Sequence, residues 1–105
     1  MEFRVDVTQQ AFDDIDGIFT YIADRSPQNA VRWRDQILEK MQTLSYHPYR
    51  HGLAPEAQRV GVEVHQKMFG VYRILYTVAD DLVTIHGVRH GSRRPLRSDE
   101  LPGQE

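Results

Sequence analysis

Basic and imidazole side chains recur in the second half of the chain, in segments whose alternating pattern is typical of β-strands. His65 and Lys67 alternate with valines, Arg73 lies within the apolar run YRILYTVA, and His90 and Arg93 follow the next apolar run. On one shared surface, such side chains can hold phosphates, transfer protons and stabilise the charge that develops on a phosphorane. The sequence therefore predicts a candidate catalytic set of His65, Lys67, Arg73, His90 and Arg93.

Arg73 has two interpretations. An arginine flanked by apolar residues in a central strand needs a partner, because an unpaired buried charge is costly. Glu63, or a carboxylate in the loop or the tail, would give Arg73 a purely structural role. Phosphate binding is the alternative, and the sequence leaves both open. His86, taken alone, is interpreted as part of a solvated sheet face.

Composition argues against several kinds of site. The chain of 105 residues has no cysteine, which excludes disulfides and thiolate metal sites. Its five histidines show no zinc-type spacing. The sequence also contains no Gly-rich phosphate loop and no Ser-centred nucleophile motif. We therefore expect no metal, no cofactor and no small-molecule substrate.

Charge and hydropathy narrow the class of protein further. The net charge of −2 argues against a bulk electrostatic nucleic-acid binder. Four arginines and no acid nevertheless lie within positions 82–97. The N-terminal MEFRVDV does not resemble a signal peptide, and no apolar run approaches the roughly 20 residues of a membrane span. We expect a soluble, cytoplasmic protein without a membrane partner.

The residue pattern in the first half of the sequence predicts one strand and two helices. FRVDV alternates as a half-buried strand, and Thr8 is a candidate N-cap for the first helix. Ser26 and Pro27 are typical of the start of a second helix. This helix is expected to end near Pro48, because proline cannot continue it. The first helix is expected to bury the face formed by Phe12, Ile15, Phe19 and Ile22. Its Asp13, Asp14 and Asp16 are interpreted as solvated, and Trp33 and Met41 of the second helix as core.

Three strands are predicted after the helices, at about 60–68, 71–79 and 82–88, with tight turns between them. Consecutive strands this close pair antiparallel, so the predicted order is β-α-α-β-β-β. This is an α+β fold in which a helical hairpin packs on one face of a twisted, mainly antiparallel sheet. One domain is expected over 1–95. A tail follows over 96–105, and its low apolar content is compatible with mobility.

The register of these strands decides which candidates share a face. With the last turn at Asp80-Asp81, Tyr76 lies opposite Ile85 over the helices. The face away from the helices then collects Arg73, His86 and His90.

The preceding turn has two possible lengths. A three-residue loop, Met68-Phe69-Gly70, places Lys67 opposite Val71 and adds Glu63, His65 and Lys67 to the face of Arg73. A two-residue loop breaks this grouping and turns the valines at 60, 62 and 64 away from the helices. We favour the three-residue loop.

Three stretches of the chain, which together span about residues 3–94, have a recognisable combination and order: AFDDIDGIFTYIADRSPQNAVRWRDQI, LSYHPYRHG and above all YRILY…DDLVTIHGVRHGSR. On these stretches the chain resembles the RelE/ParE superfamily of bacterial type II toxins. The resemblance implies a β-α-α-β-β-β fold. It also implies a toxin encoded beside an antitoxin whose partly disordered tail folds onto the toxin and neutralises it.

The resemblance implies two possible targets. RelE-like members cut mRNA on the ribosome without a metal, whereas ParE-like members poison DNA gyrase and are not nucleases. The DDIDGIFTYIA helix and the HP…G turn are more similar to the ParE branch, which we favour. In the RelE pattern, Arg73 matches the arginine of the YR motif and Arg93 the arginine after the Gly-x step. His65 and Lys67 match the two basic residues of the preceding strand only with the three-residue loop.

Part of the RelE pattern is missing. Its C-terminal tyrosine has no counterpart, because no tyrosine follows Tyr76. Without an aromatic residue to stack on a base, the ribonuclease interpretation is weakened. In that interpretation Arg73 and Arg93 would stabilise the phosphate charge, and Lys67, His65 or His90 would transfer the proton, with His90 as the candidate to compensate for the missing tyrosine. A third hypothesis is a homologue that binds its antitoxin without being toxic. If the protein is an enzyme, we expect a metal-independent endoribonuclease.

Overall fold

The structure is a computed structural model that describes residues 2–57 and 62–92. The elements follow the predicted order β-α-α-β-β-β. They are β1 (Arg4–Val7), α1 (Gln9–Ala23), α2 (Pro27–Gln42), β2 (His65–Phe69), β3 (Tyr72–Ala79) and β4 (Leu82–His90), with 3-10 turns at Thr43–Ser45 and Pro48–Arg50. The predicted fold class is confirmed.

One mixed sheet contains all four strands in the order β1-β4-β3-β2. β4 pairs with β3 antiparallel and with β1 parallel, and β2 pairs with β3 antiparallel. The helical hairpin covers one face of this sheet, with α1 against β4 and α2 against α1. The opposite face is partly covered by the loop that precedes β2.

Both predicted helix starts are confirmed. The Thr8 hydroxyl accepts a hydrogen bond from the backbone N–H of Ala11 at 3.2 Å, which satisfies one of the unpaired donors of the first turn of α1. Ser26 does the same for Asn29 at 3.3 Å, and Pro27 occupies the first position of α2.

The buried face of α1 is rotated from the predicted one. Ala11 and Ile15 are fully buried, whereas Phe12 is 42% exposed, so its assignment to the core is wrong. The small side chain of Ala11 lets the helix lie close to the sheet. The sequence prediction had instead placed Phe12, the larger residue next to Ala11, on the buried face.

The main core lies between the helices and the sheet. On the helix side, Met41 is fully buried as predicted, and Trp33 packs edge-on against Tyr72 with 5.5 Å between ring centroids. The buried residues of this core are Ala11, Ile15, Ile37, Met41, Leu44, Ile74, Tyr76, Val83, Ile85 and Val88. The inward positions of β3 and β4 therefore agree with the predicted alternation near their shared turn.

The β2–β3 turn has two residues, so the favoured three-residue loop is wrong. Phe69 pairs with Tyr72, which leaves Gly70 and Val71 as the turn. Gly70 has a φ of +59°, a left-handed conformation that glycine adopts without steric cost. Lys67 consequently lies opposite Ile74 and not opposite Val71.

A β-bulge in β4 changes the second predicted register. Tyr76 pairs with Ile85 as predicted, but Leu75 pairs with Gly87, so His86 is an extra residue in β4. Beyond the bulge, every side chain of β4 is on the opposite face from the predicted one. The predicted pairing of Leu75 with His86 is therefore wrong.

The side chain of Asp14 meets the backbone of β4 next to this bulge. Its Oδ2 accepts the N–H of Val88 at 2.9 Å, while its Oδ1 accepts from Gln10 at 3.0 Å. Asp14 is therefore not a solvated residue as predicted, whereas Asp13 and Asp16 are exposed. The carboxylate of Asp14 in α1 thus satisfies the backbone N–H of Val88, next to the bulge that interrupts the regular pairing of β4.

Candidate functional site

The candidate catalytic residues are divided between the two faces of the sheet. Arg73 lies on the face away from the helices, while His65, Lys67 and His90 pair with residues that face the helices. Arg93 lies outside the described residues. The prediction that these side chains share one face is wrong for those described, because the short turn and the bulge each shift a register by one residue.

Arg73 is buried in an ion pair with Glu56. Its two terminal nitrogens donate to the two carboxylate oxygens of Glu56, each at 3.0 Å, and one of them also donates to Gln66 Oε1 at 3.1 Å. The relative exposure of Arg73 is 6% and that of Glu56 is 0%. A bidentate pair of this kind satisfies both charges in a desolvated place. The structural interpretation of Arg73, with a loop carboxylate as partner, matches this geometry.

The loop before β2 brings Glu56 to Arg73. Ala54 N donates to Val64 O at 2.7 Å, and Ala54 and Val64 pack with Leu75 of β3 into a small second core. Val64 thus faces away from the helices, as the two-residue turn implies. Glu63, the other predicted partner of Arg73, lies outside β2 and its side chain is 74% exposed. The only sequence signal for Glu56 was a lone acid among small residues in HGLAPEAQR.

His86 occupies the bulge on the same face as Arg73. Its Nε2 lies 2.8 Å from the hydroxyl of Thr77. Burial lowers the pKa of His86, so the neutral imidazole is favoured. His86 is therefore half-buried and in hydrogen-bond contact with Thr77, and not fully solvated.

His65 is buried on the helix side of β2. Its ring stacks on Tyr76 with 5.4 Å between centroids and meets Tyr49 edge-on at 5.8 Å. Nδ1 lies 3.0 Å from the carbonyl oxygen of His51 and therefore donates to it, since a carbonyl can only accept. Nε2 lies 3.8 Å from the carboxylate of Glu63. The imidazole thus joins β2 to the segment after α2.

Lys67, two residues further along β2, belongs to a cluster of basic side chains. We call this cluster the basic edge, and it is made of Lys40, Arg50, His51 and Lys67. The Nζ of Lys67 lies 3.4 Å from Nε2 of His51. Burial lowers the pKa of Lys67, and the charges of Lys40 and Arg50 lower it further. Burial also lowers the pKa of His51, followed by the charges of Lys67, Arg50 and His65. Three separate parts of the chain thus bring like charges together.

His90 belongs to a third region, a cleft of about 550 Å³ between α1 and the ends of β3 and β4. Its Nδ1 accepts the backbone N–H of Ser92 at 3.0 Å, so the proton of the neutral ring is on Nε2. The ring also meets Tyr72 edge-on at 5.6 Å. The cleft walls include Asp13, Ile18, Tyr21, Tyr72, Arg89 and His90.

Neither a metal centre nor a membrane-spanning helix is part of the described structure. Within 2–57 and 62–92, no three histidine, aspartate or glutamate side chains gather in a way that would hold a metal ion. Neither α1 nor α2 is long and apolar enough to cross a bilayer.

Comparisons with known proteins agree with this architecture. Residues 5–95 match the family model of the ParE toxin of the type II toxin-antitoxin system, parDE. Among solved structures, a chain of the chromosomal ParDE system from P. aeruginosa superposes with a TM-score of 0.69 at 16% identity, covering 85% of this chain and 96% of that one. No curated protein sequence matches significantly.

A second solved structure shares the fold at a greater distance. A chain of the archaeal RelE-RelB complex from Pyrococcus horikoshii OT3 gives a TM-score of 0.53 at 19% identity, covering 90% of this chain and 100% of that one. Both likenesses establish the fold, while the family model spans most of the sequence. The chain therefore belongs to the ParE family of toxins of type II toxin–antitoxin systems.

Proposed function

We propose that this protein arrests bacterial growth by poisoning DNA gyrase through protein contact, and that an antitoxin encoded beside it neutralises it. The observation that carries the proposal is the state of Arg73. The arginine that a RelE-like nuclease would use on phosphate is desolvated and bound bidentately by Glu56. A guanidinium with a buried carboxylate on both terminal nitrogens has little capacity left for phosphate.

The positions of the other candidates support the same conclusion. His65, Lys67 and His90 are on the opposite face of the sheet from Arg73. General acid–base catalysis requires each group to lie within hydrogen-bond reach of the proton that it transfers, so all the groups must surround one bound substrate. Side chains on two faces of a sheet do not meet that requirement together. Because gyrase acts on DNA in the cytoplasm, the proposal also places the toxin there.

Expression without antitoxin tests the proposal directly. We expect growth arrest with induction of the DNA damage response, and inhibition of supercoiling when the purified protein is added to gyrase. Translation arrest with new mRNA ends would instead identify a RelE-like ribonuclease. Normal growth would contradict toxicity and leave the non-toxic, antitoxin-binding homologue as the alternative.

A paired substitution separates the structural role of Arg73 from a catalytic one. In Arg73→Met combined with Glu56→Leu, apolar residues of similar volume replace the ion pair, which is often neutral for stability. We expect this double variant to fold and to keep its toxicity. Loss of toxicity in a double variant whose unfolding curve is unchanged would contradict the proposal, since only a functional guanidinium would then explain it.

A further inference from the structure

We propose that the basic edge is a carboxylate-binding site beside the open edge of β2, and that it takes an extended acidic segment of the antitoxin. The partner's identity rests on the proposed function, because only a toxin of this kind needs an antitoxin. The chemistry of the site rests on the described side chains alone.

The first observation is the concentration of positive charge. Lys67 Nζ and His51 Nε2 lie 3.4 Å apart, and Arg50 and Lys40 are close enough to affect the pKa of Lys67. Within the described residues, the charged groups that act on His51 are Lys67, Arg50 and His65. Like charges held together cost free energy in the unbound protein. An anion placed among them would remove that cost.

The second observation is an unused strand edge at the same place. Gln66 N–H donates to Gly52 O at 3.0 Å, on the side of β2 away from β3. Because backbone directions alternate along an antiparallel strand, Met68 also directs its N–H and C=O outward. In the described part of the chain, the segment at Gly52–Ala54 pairs with this edge no further than Gln66. The edge beside Lys67 is therefore available for another strand.

These two features together favour a peptide over a nucleic acid. A strand added at Met68 would exchange backbone hydrogen bonds with β2, which a sugar-phosphate chain cannot do in the same way. Side chains opposite Lys67 would share its face of the sheet. Since strand side chains alternate, an acid at every second position would point toward the basic edge.

Proton linkage gives the site a distinctive signature. A bound carboxylate favours the charged form of His51 and raises its pKa again. Binding then takes up protons, so affinity should rise as pH falls from about 8 to about 6, where glutamate stays ionised. If the basic edge only stabilised the contact between β2 and the segment after α2, affinity for a carboxylate peptide would not depend on pH in this way.

The test uses defined probes and the purified full chain. The first probe is an acetylated nine-residue peptide that alternates glutamate with threonine. The second has glutamine in place of each glutamate, and the third is a single-stranded RNA of nine nucleotides. Affinity is measured by calorimetry at low salt, and amide NMR shifts locate the site. We expect the glutamate peptide to bind and to shift the amide NMR signals of Lys67 and Met68. The glutamine peptide should bind with an affinity at least about fivefold lower.

Substitutions then assign the contacts. Lys67→Gln and His51→Gln should each weaken the glutamate peptide about fivefold, and His51→Gln should also flatten the pH dependence. Arg32→Gln is the matched control, because Arg32 is exposed on α2 and donates a hydrogen bond to Asn29 at 3.4 Å, and it should change affinity less than twofold.

Three results would overturn the proposal. They are no binding of the glutamate peptide, binding that Lys67→Gln and His51→Gln leave unchanged, and tighter RNA binding that depends on the same residues. The last result would assign the basic edge to nucleic acid. Gyrase inhibition by the same protein is scored separately, so failure of this site would leave the proposed function standing.

Discussion

Both terminal nitrogens of Arg73 lie 3.0 Å from the two carboxylate oxygens of Glu56, and this contact joins the centre of β3 to the loop before β2. The pair lies on the sheet face away from the helices. It also holds the loop that carries Ala54 and Ala57 over Leu75. A residue that the sequence suggested for catalysis is thus positioned to stabilise the fold.

Removal of Glu56 should destabilise the protein strongly. Glu56→Ala leaves the Arg73 guanidinium buried without its carboxylate, and breaking a buried pair in this way typically costs about 3–5 kcal/mol. Urea unfolding followed by circular dichroism measures the loss. Glu39→Gln, at an exposed position of α2, is the matched control and should change the free energy of unfolding by less than about 0.5 kcal/mol. A loss below about 1 kcal/mol in Glu56→Ala would show that the pair is not structurally important.

Gly87 and Asp14 should be energetically coupled. A Cβ at position 87 would lie 2.9 Å from Asp14 Oδ2, the atom that accepts the Val88 N–H. Gly87→Ala therefore displaces this carboxylate, and Val88 then loses a partner worth about 1–3 kcal/mol.

A double-mutant cycle checks this coupling. Gly87→Ala should cost clearly less in the Asp14→Ala background than in the wild type, because the contact and the hydrogen bond are then already absent. Asp16→Ala, on the exposed side of α1, is the control background and should leave the cost unchanged. Simple additivity of Gly87→Ala and Asp14→Ala would rule out the coupling.

Stability should fall on mild acidification because of His86. Burial lowers its pKa in the folded state below the usual value of 6.5. Below about pH 6.5 the unfolded chain then binds more protons than the folded one, so the free energy of unfolding falls until the folded pKa is reached. Above pH 6.5 this contribution is constant.

Urea unfolding at several pH values tests the role of His86. His86→Gln should reduce the slope of stability against pH below 6.5, since the variant has no imidazole in the bulge. His51, whose pKa burial also lowers, should account for part of the slope that remains. An identical slope in wild type and His86→Gln would assign the acid sensitivity elsewhere.

Two glycines should respond in opposite ways to alanine. Gly70 has a φ of +59° in the β2–β3 turn, so Gly70→Ala should cost about 1 kcal/mol. Gly17 lies in the middle of α1 with open space around its missing Cβ, so Gly17→Ala should stabilise by about 0.5–1 kcal/mol. Thermal unfolding of the two variants measures both effects. The same sign in both would refute the conformational explanation.

The sequence by itself determined the order of elements, both helix caps and the family. These depend on local patterns, such as the alternation of Phe3, Val5 and Val7 and the Ser26-Pro27 start of α2, or on motifs spread along most of the chain. Local patterns are sufficient for the elements and the caps, whereas the family followed from the resemblance. Strand alternation about the turn at Asp80-Asp81 also predicted correctly that Tyr76 and Ile85 pair.

The tertiary structure alone decided which candidate side chains meet. One residue fewer in the β2–β3 turn turned His65 and Lys67 toward the helix side, and one extra residue at His86 turned His90 there as well. The period of a strand is two, so each single-residue shift exchanges the faces completely. The partner of Arg73 was equally a tertiary result, since Glu56 reaches it from a loop 17 positions away along the chain.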